Sequence, residues 1–233
     1  RFSFGGNRDL RFATKSLEVG SSLSAPELLR LAAQLNNAAR IKSYGERENE
    51  DSPTDSLDEY FEGLHPLTRI ADEINRCILA EDEIADDASP GLRSIRRQIQ
   101  QAGEKIHSQL RSMVNGSLKT YLQDAVITMR EHRYCIPVKA EYKSQVSGMI
   151  HDQSSTGSTF FIEPTAVVEL NNKIRELMLD EQKEIEKILA DLSAQCGEHT
   201  FEIAENQRIL TQLDFIFAKG KLALDMNASC PQY

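Results

Sequence analysis

With 233 residues, 40% of them apolar, the chain is long enough for one sizeable core or two small ones. Its formal net charge is −9, with acid concentrated at Glu46–Glu62 and Glu81–Asp87, which argues against a strong autonomous polyanion binder; such a partner would have to meet a local basic patch. Cys77, Cys135, Cys196 and Cys230 lie too far apart for a zinc site or a dense disulfide framework, and no apolar run approaches the ~18–20 residues of a membrane span, so a reduced, cytoplasmic protein without a membrane partner is expected.

The first helix is expected from "SAPELLRLAAQLNNAARI". Ser24 and Glu27 make a capping box, Pro26 suits the first turn, Leu28, Leu31, Leu35 and Ala38 form one stripe, and Gly45 marks the stop. The acidic "ERENEDSPTDSLDEY" reads as a solvated connector. Pro66 opens a short helix with Leu67, Ile70, Ile74, Cys77 and Ile78 on one side, ended by "EDEIADDASPG".

After Pro90 the apolar residues Leu92, Ile95, Ile99, Ala102 and Ile106, continued by Gln109 and Met113, recur at alternating steps of three and four, the seam of a coiled coil. A second long helix follows Pro164, carrying Val167, Leu170, Ile174, Leu177, Met178, Ile185, Ile188, Leu189 and Leu192, with Glu181 interrupting the stripe. Between them, "AVITMR", "RYCIPV", "SGMIH" and "TFFIE" are short β-prone runs broken by "EH", "KSQ" and "SSTGS", in the manner of a meander. The last segment puts Phe201, Leu210, Leu213, Phe217, Gly220 and Leu224 on one face of a helix that returns to the N-terminal ones. The expected fold is mainly α with a small antiparallel β insertion: a helical core, two long antiparallel helices, and a sheet at their far end.

Motifs for catalysis are sparse. The only Gly-Lys pair, Gly220–Lys221, is followed by Leu222 inside a helical pattern rather than forming a P-loop, and His65, His107, His132, His151 and His199 fall in no HExxH arrangement. Neither a nucleotide site nor a metal site is expected in this chain. "GMIHDQSSTGSTFFIEP" resembles a nucleophile set, with His151 as base and Asp152 as its orienter. Adjacent strand residues point to opposite faces, however, which favours a polar hairpin with Gly157 at positive φ and hydroxyls bonding the turn. Arg130, Arg133, Lys139 and Lys143, set against Glu131 and Glu141, are the expected backbone-type contacts to nucleic acid, with His151 and Gln153 beside them.

The words themselves are specific. "YLQDAVITMREHRYCIPVKAEYKSQVSGMIHDQSSTGSTFFIEPTAVVELNN" (Tyr121–Asn172), "LDFIFAK" (Leu213–Lys219) and "DLRFATKSLEVGSSLSAPELL" together closely resemble the bacterial MutS-two family, the second branch of the MutS mismatch-repair proteins. One departure is the Glu131–His132 pair, where the family often has an Asn-Gly-like turn. The resemblance implies a core in residues 1–91, a first lever in 92–118, a clamp in 119–164, a second lever in 165–198 and a returning core helix in 199–233. It also implies that the chain is a non-catalytic piece of a dimeric ATPase that uses ATP and Mg and carries a C-terminal endonuclease domain. DNA or the ribosome would be the clamp's partner, in recombination suppression or ribosome rescue. A protein-gripping mechanical module is the alternative. The start at Arg1, without Met, points the same way, to a segment of a longer protein.

Overall fold

The computed structural model describes residues 10–49 and 56–227, and Cys230 lies outside them. The chain divides into two compact units: Arg1–Ala88 with Glu186–Tyr233, and Ser89–Ile185. Among the described residues it is mainly helical, with two small antiparallel sheets.

In the first unit, α1 (Arg11–Glu18), α2 (Ala25–Asn49), α3 (Asp58–Glu62), α4 (Thr68–Cys77) and α7 (Thr200–Asp225) bury Leu28, Leu31, Leu35, Ile41 and Ile74 completely or nearly so. Ser24 caps α2 with Glu27, whose carboxylate accepts from both the backbone N–H and the hydroxyl of Ser24 at 2.8 Å. The helix does not stop at Gly45. This glycine is buried against Phe61, and a Cβ there would lie 2.4 Å from the ring, so it serves close packing rather than termination. The acidic connector shortens accordingly. Its first residues continue α2 and its last form α3, whose Phe61 joins Ala38, Ile41, Leu64, Ile209, Leu210 and Leu213 in one cluster, while residues 50–55 lie outside the described ones.

Leu67 precedes α4 in the left-handed region (φ 45°), and Ile78, expected on that helix, instead starts a tiny hairpin of β1 (Ile78–Ala80) and β2 (Glu83–Ile84). On α7 the buried stripe is Ile203, Asn206, Ile209, Leu210 and Leu213, whereas Phe201 and Leu224, expected on it, are largely exposed. Asn206 is fully buried because it accepts from the His65 N–H at 2.8 Å and donates to the His65 carbonyl at 2.6 Å.

The second unit is built on α5 (Pro90–Asn115) and the first half of α6 (Val168–Gly197). Ser89 caps α5 by accepting from the Leu92 N–H at 3.0 Å, with Pro90 at the first helical position. Ser89 donates to Glu184 at 2.8 Å and Arg96 to Glu181 at 2.7 Å, so rising numbers on α5 meet falling ones on α6 and the helices run antiparallel. Glu181 thus breaks the apolar stripe to meet Arg96. The buried face of α5 follows Ala102, Ile106, Leu110 and Val114, with Met113 half-buried against the same core, whereas Gln109, expected on the seam, is exposed.

The four-stranded sheet comprises β3 (Thr128–Arg130), β4 (Arg133–Lys139), β5 (Gly148–Gln153) and β6 (Thr159–Pro164) in the order β3-β4-β6-β5. It is not a simple meander. The expected "KSQ" turn is part of a 3-10 segment, Ala140–Gln145, which carries the chain past β4 to the far edge, and β6 then inserts between. Ile136, Val138 and Ile162 face α5 and share a core with Ile106, Leu110, Leu122 and Val167. Glu131 (φ 48°) and His132 (φ 61°) both adopt left-handed backbone, the geometry of a two-residue mirror-image turn, without the Asn-Gly that usually provides it.

Candidate functional site

The strand register places Arg130 and Arg133 on the sheet face opposite Ile136 and Val138. Strand alternation puts Cys135 on β4 and Glu163 on β6 on that same face. On β5, Ile150 pairs with Ile162 and Asp152 with Phe161, leaving His151 as the extra residue of a β-bulge. The bulge turns the imidazole inward, and its Nε2 lies 2.7 Å from Glu163.

A buried ionic knot results. Arg133 Nε donates to Glu163 at 2.7 Å, a second guanidinium nitrogen reaches the other carboxylate oxygen, and Nη1 donates to Asn172 at 2.8 Å. Glu163 is wholly inaccessible and Arg133 only 9% exposed. Burial pushes the Glu163 carboxyl up, but the Arg133 and His151 bonds outweigh it and hold it below the usual carboxylate range; Glu163 in turn raises the Arg133 guanidinium. Beside the knot, Asn171 accepts from the Tyr134 N–H at 3.1 Å, tying the start of α6 to β4. Burial also pushes the Cys135 thiol up to about 11. Cys77, Cys135 and Cys196 are free and buried.

Two residues expected at a nucleic-acid surface, Arg133 and His151, are therefore internal, and the knot's other members, Glu163, Asn171 and Asn172, were not singled out by the sequence. Their only sequence signal is a charged residue ending an apolar strand run. Arg130 is half-buried, stacked 3.9 Å above the Phe161 ring and paired with Asp152 at 3.1 Å. His151 and Asp152 thus take different partners rather than each other. Lys143 is exposed, its Nζ 5.1 Å above the Phe160 ring, Lys139 ends β4 half-buried, and Gln153 is exposed. Gly157 (φ 72°) donates to the Ser154 carbonyl at 2.9 Å, and the Ser154 hydroxyl accepts from the Thr159 N–H at 3.1 Å.

Among the described residues no three His, Cys, Asp or Glu side chains converge as a metal site, and no helix is long and apolar enough to cross a membrane. Gly220–Lys221 lies within α7, so its amides are not arranged to cradle phosphate.

No family model matches the chain. Individual relatives do, along nearly its whole length. It is 50% identical over 232 residues to Endonuclease MutS2 of Agathobacter rectalis, 51% over 237 to that of Lachnoclostridium phytofermentans and 53% over 229 to that of Lachnospira eligens, covering 98–99% of this chain. The chain belongs to the MutS2 family. It spans 28–30% of the length of these MutS2 relatives. The stretch matched to the MutS2 relatives takes in both units.

Proposed function

We propose that this chain is a core, lever and clamp region of a MutS2 protein, in which the sheet unit grips nucleic acid by its phosphate backbone and the α5–α6 pair transmits motion to it. The observation that carries the reading is how charge is distributed on the sheet unit. Residues 119–163 hold five cations and five acids. Arg133 and Glu163 cancel internally and Arg130 is taken by Asp152, which leaves Lys119, Lys139 and Lys143, set among Asp124, Glu131 and Glu141, as the cations to meet phosphate oxygens. Lysine ammonium groups without a base-reading arrangement suit sequence-independent contact.

The whole protein, on this proposal, is a homodimeric, cytoplasmic ATPase using ATP and Mg, with nuclease chemistry as the relatives' name, Endonuclease MutS2, indicates. This region would contribute binding and mechanics rather than catalysis. DNA is the proposed substrate, with ribosomal nucleic acid the other target of the same chemistry. A second reading, a module that grips a protein partner, is favoured by one observation: Val126, Met129, Met149 and Ile150 are about half exposed on and beside the sheet.

The test is fluorescence anisotropy of a labelled DNA duplex against salt, for wild type and for Lys139→Gln/Lys143→Gln, with circular dichroism as folding control. Two lost phosphate contacts should weaken binding and lower the slope of log Kd against log salt by roughly 2. Binding that is insensitive to salt, or unchanged in the folded variant, would favour the protein-gripping module.

A further inference from the structure

The helix α5 is electrically unlike the rest of the chain. Pro90–Asn115 holds Arg93, Arg96, Arg97, Lys105 and Arg111 against Glu104 alone, a net charge of +4 in a chain of net −9. Arg96 is spent on Glu181. The other four are exposed, and none has an acidic partner among the described residues. Two exposed arginines on other helices, Arg76 and Arg208, are neutralised within their own helix by Glu73 and Glu205. On α5 that is ruled out by the near-absence of acids, and Glu104 itself is engaged by Gln100, which donates to it at 2.9 Å.

The placement is as uneven as the composition. Leu92, Ala102, Ile106, Leu110 and Val114 hold the inner face of α5. At ~100° per residue, Arg93, Arg97 and Arg111 fall within about 40° of one another on the opposite face, and Lys105 flanks them. Gln101, Ser108 and Asn115, all hydrogen-bond donors, lie between and beside them on the same exposed face. The line from Arg93 to Arg111 runs roughly 27 Å. Along its C-terminal half a shallow groove is lined by Glu104, His107, Ser108, Arg111, Ser112 and Asn115.

We infer that the outer face of α5 is a second phosphate-backbone surface, a track for duplex DNA along the first lever helix. This rests on the reading that the unit bearing the sheet grips nucleic acid. Arg guanidinium groups meet phosphate in a bidentate fashion, and Ser, Asn and Gln side chains donate to phosphate oxygens without reading sequence. The face offers this set in a line, with no apolar side chain that would suit a packed protein partner. Glu104 is the single repulsive element in its path, so its charge limits affinity.

The experiment compares three proteins by anisotropy against salt on a labelled DNA duplex: wild type, Arg93→Gln/Arg97→Gln/Arg111→Gln and Glu104→Gln. The triple variant should bind at least tenfold more weakly near 0.1 M salt, with the slope of log Kd against log salt reduced by about 2 to 3. Glu104→Gln should bind severalfold more tightly, a gain that misfolding cannot imitate. Wild-type affinity and slope in the triple variant, or no gain in Glu104→Gln, overturns the inference. So does weakening of the triple variant toward poly-glutamate or duplex RNA with duplex DNA unaffected. If Lys139→Gln/Lys143→Gln loses affinity while the triple variant does not, the α5 surface falls and the sheet contact stands. The reverse result removes the sheet contact and leaves α5 as the binding face.

Discussion

Glu163 remains ionised where water cannot reach it because Arg133 and His151 both aim hydrogen-bonding nitrogens at its carboxylate. Removing Arg133 would strand that charge, and Arg133→Ala should cost about 3–5 kcal/mol by urea unfolding at neutral pH, far more than loss of an exposed cation. The pH dependence has a definite sign. The folded carboxyl titrates below its unfolded value, so its stabilisation is fully present above the unfolded value of about 4.3 and is lost as pH falls through the folded one. The stability gap between wild type and Glu163→Gln should therefore be wide at pH 7 and narrow on acidification. A gap that stays constant across that range would mean the carboxylate is not held as described. The knot was largely illegible in the sequence. Arg133 looked like a surface cation because alternation gives its face but not what covers that face, and His151 is aimed inward by a bulge that no residue type announces.

At the scale of elements, Gly45 reverses an ordinary expectation. Gly→Ala inside a helix usually stabilises by about 1 kcal/mol. Here the added methyl would collide with the Phe61 ring, so Gly45→Ala should lower the melting temperature rather than raise it. The seam of α5 is tested in the same way: Leu110 is fully buried and Gln109 exposed, so Leu110→Ala should cost about 2–5 kcal/mol and Gln109→Ala less than about 0.5. Comparable effects at both sites would restore the coiled-coil phase. Element type and length were legible for both long helices because their apolar period runs for many turns. The order β3-β4-β6-β5 was not, since short strands of similar composition carry no record of which neighbour they pair with. The hairpin β1–β2 was hidden because Ile78 continues the spacing of α4.

For the molecule as a whole, each unit is closed around its own core, one of helices and one of a sheet packed on α5. The unit of residues 89–185 carries both proposed contact surfaces, and its formal charges oppose the acidic average of the chain along α5. On the proposed function, this unit, not the helical core, meets the phosphate backbone. Lysine acetylation footprinting by mass spectrometry, with and without a saturating DNA duplex, tests it most directly. Strong protection is expected of Lys119, Lys139 and Lys143, together with Lys105, while Lys15, Lys219 and Lys221 react as in the free chain. Uniform reactivity of the sheet-unit lysines with DNA bound, or protection confined to Lys15, Lys219 and Lys221, would contradict it.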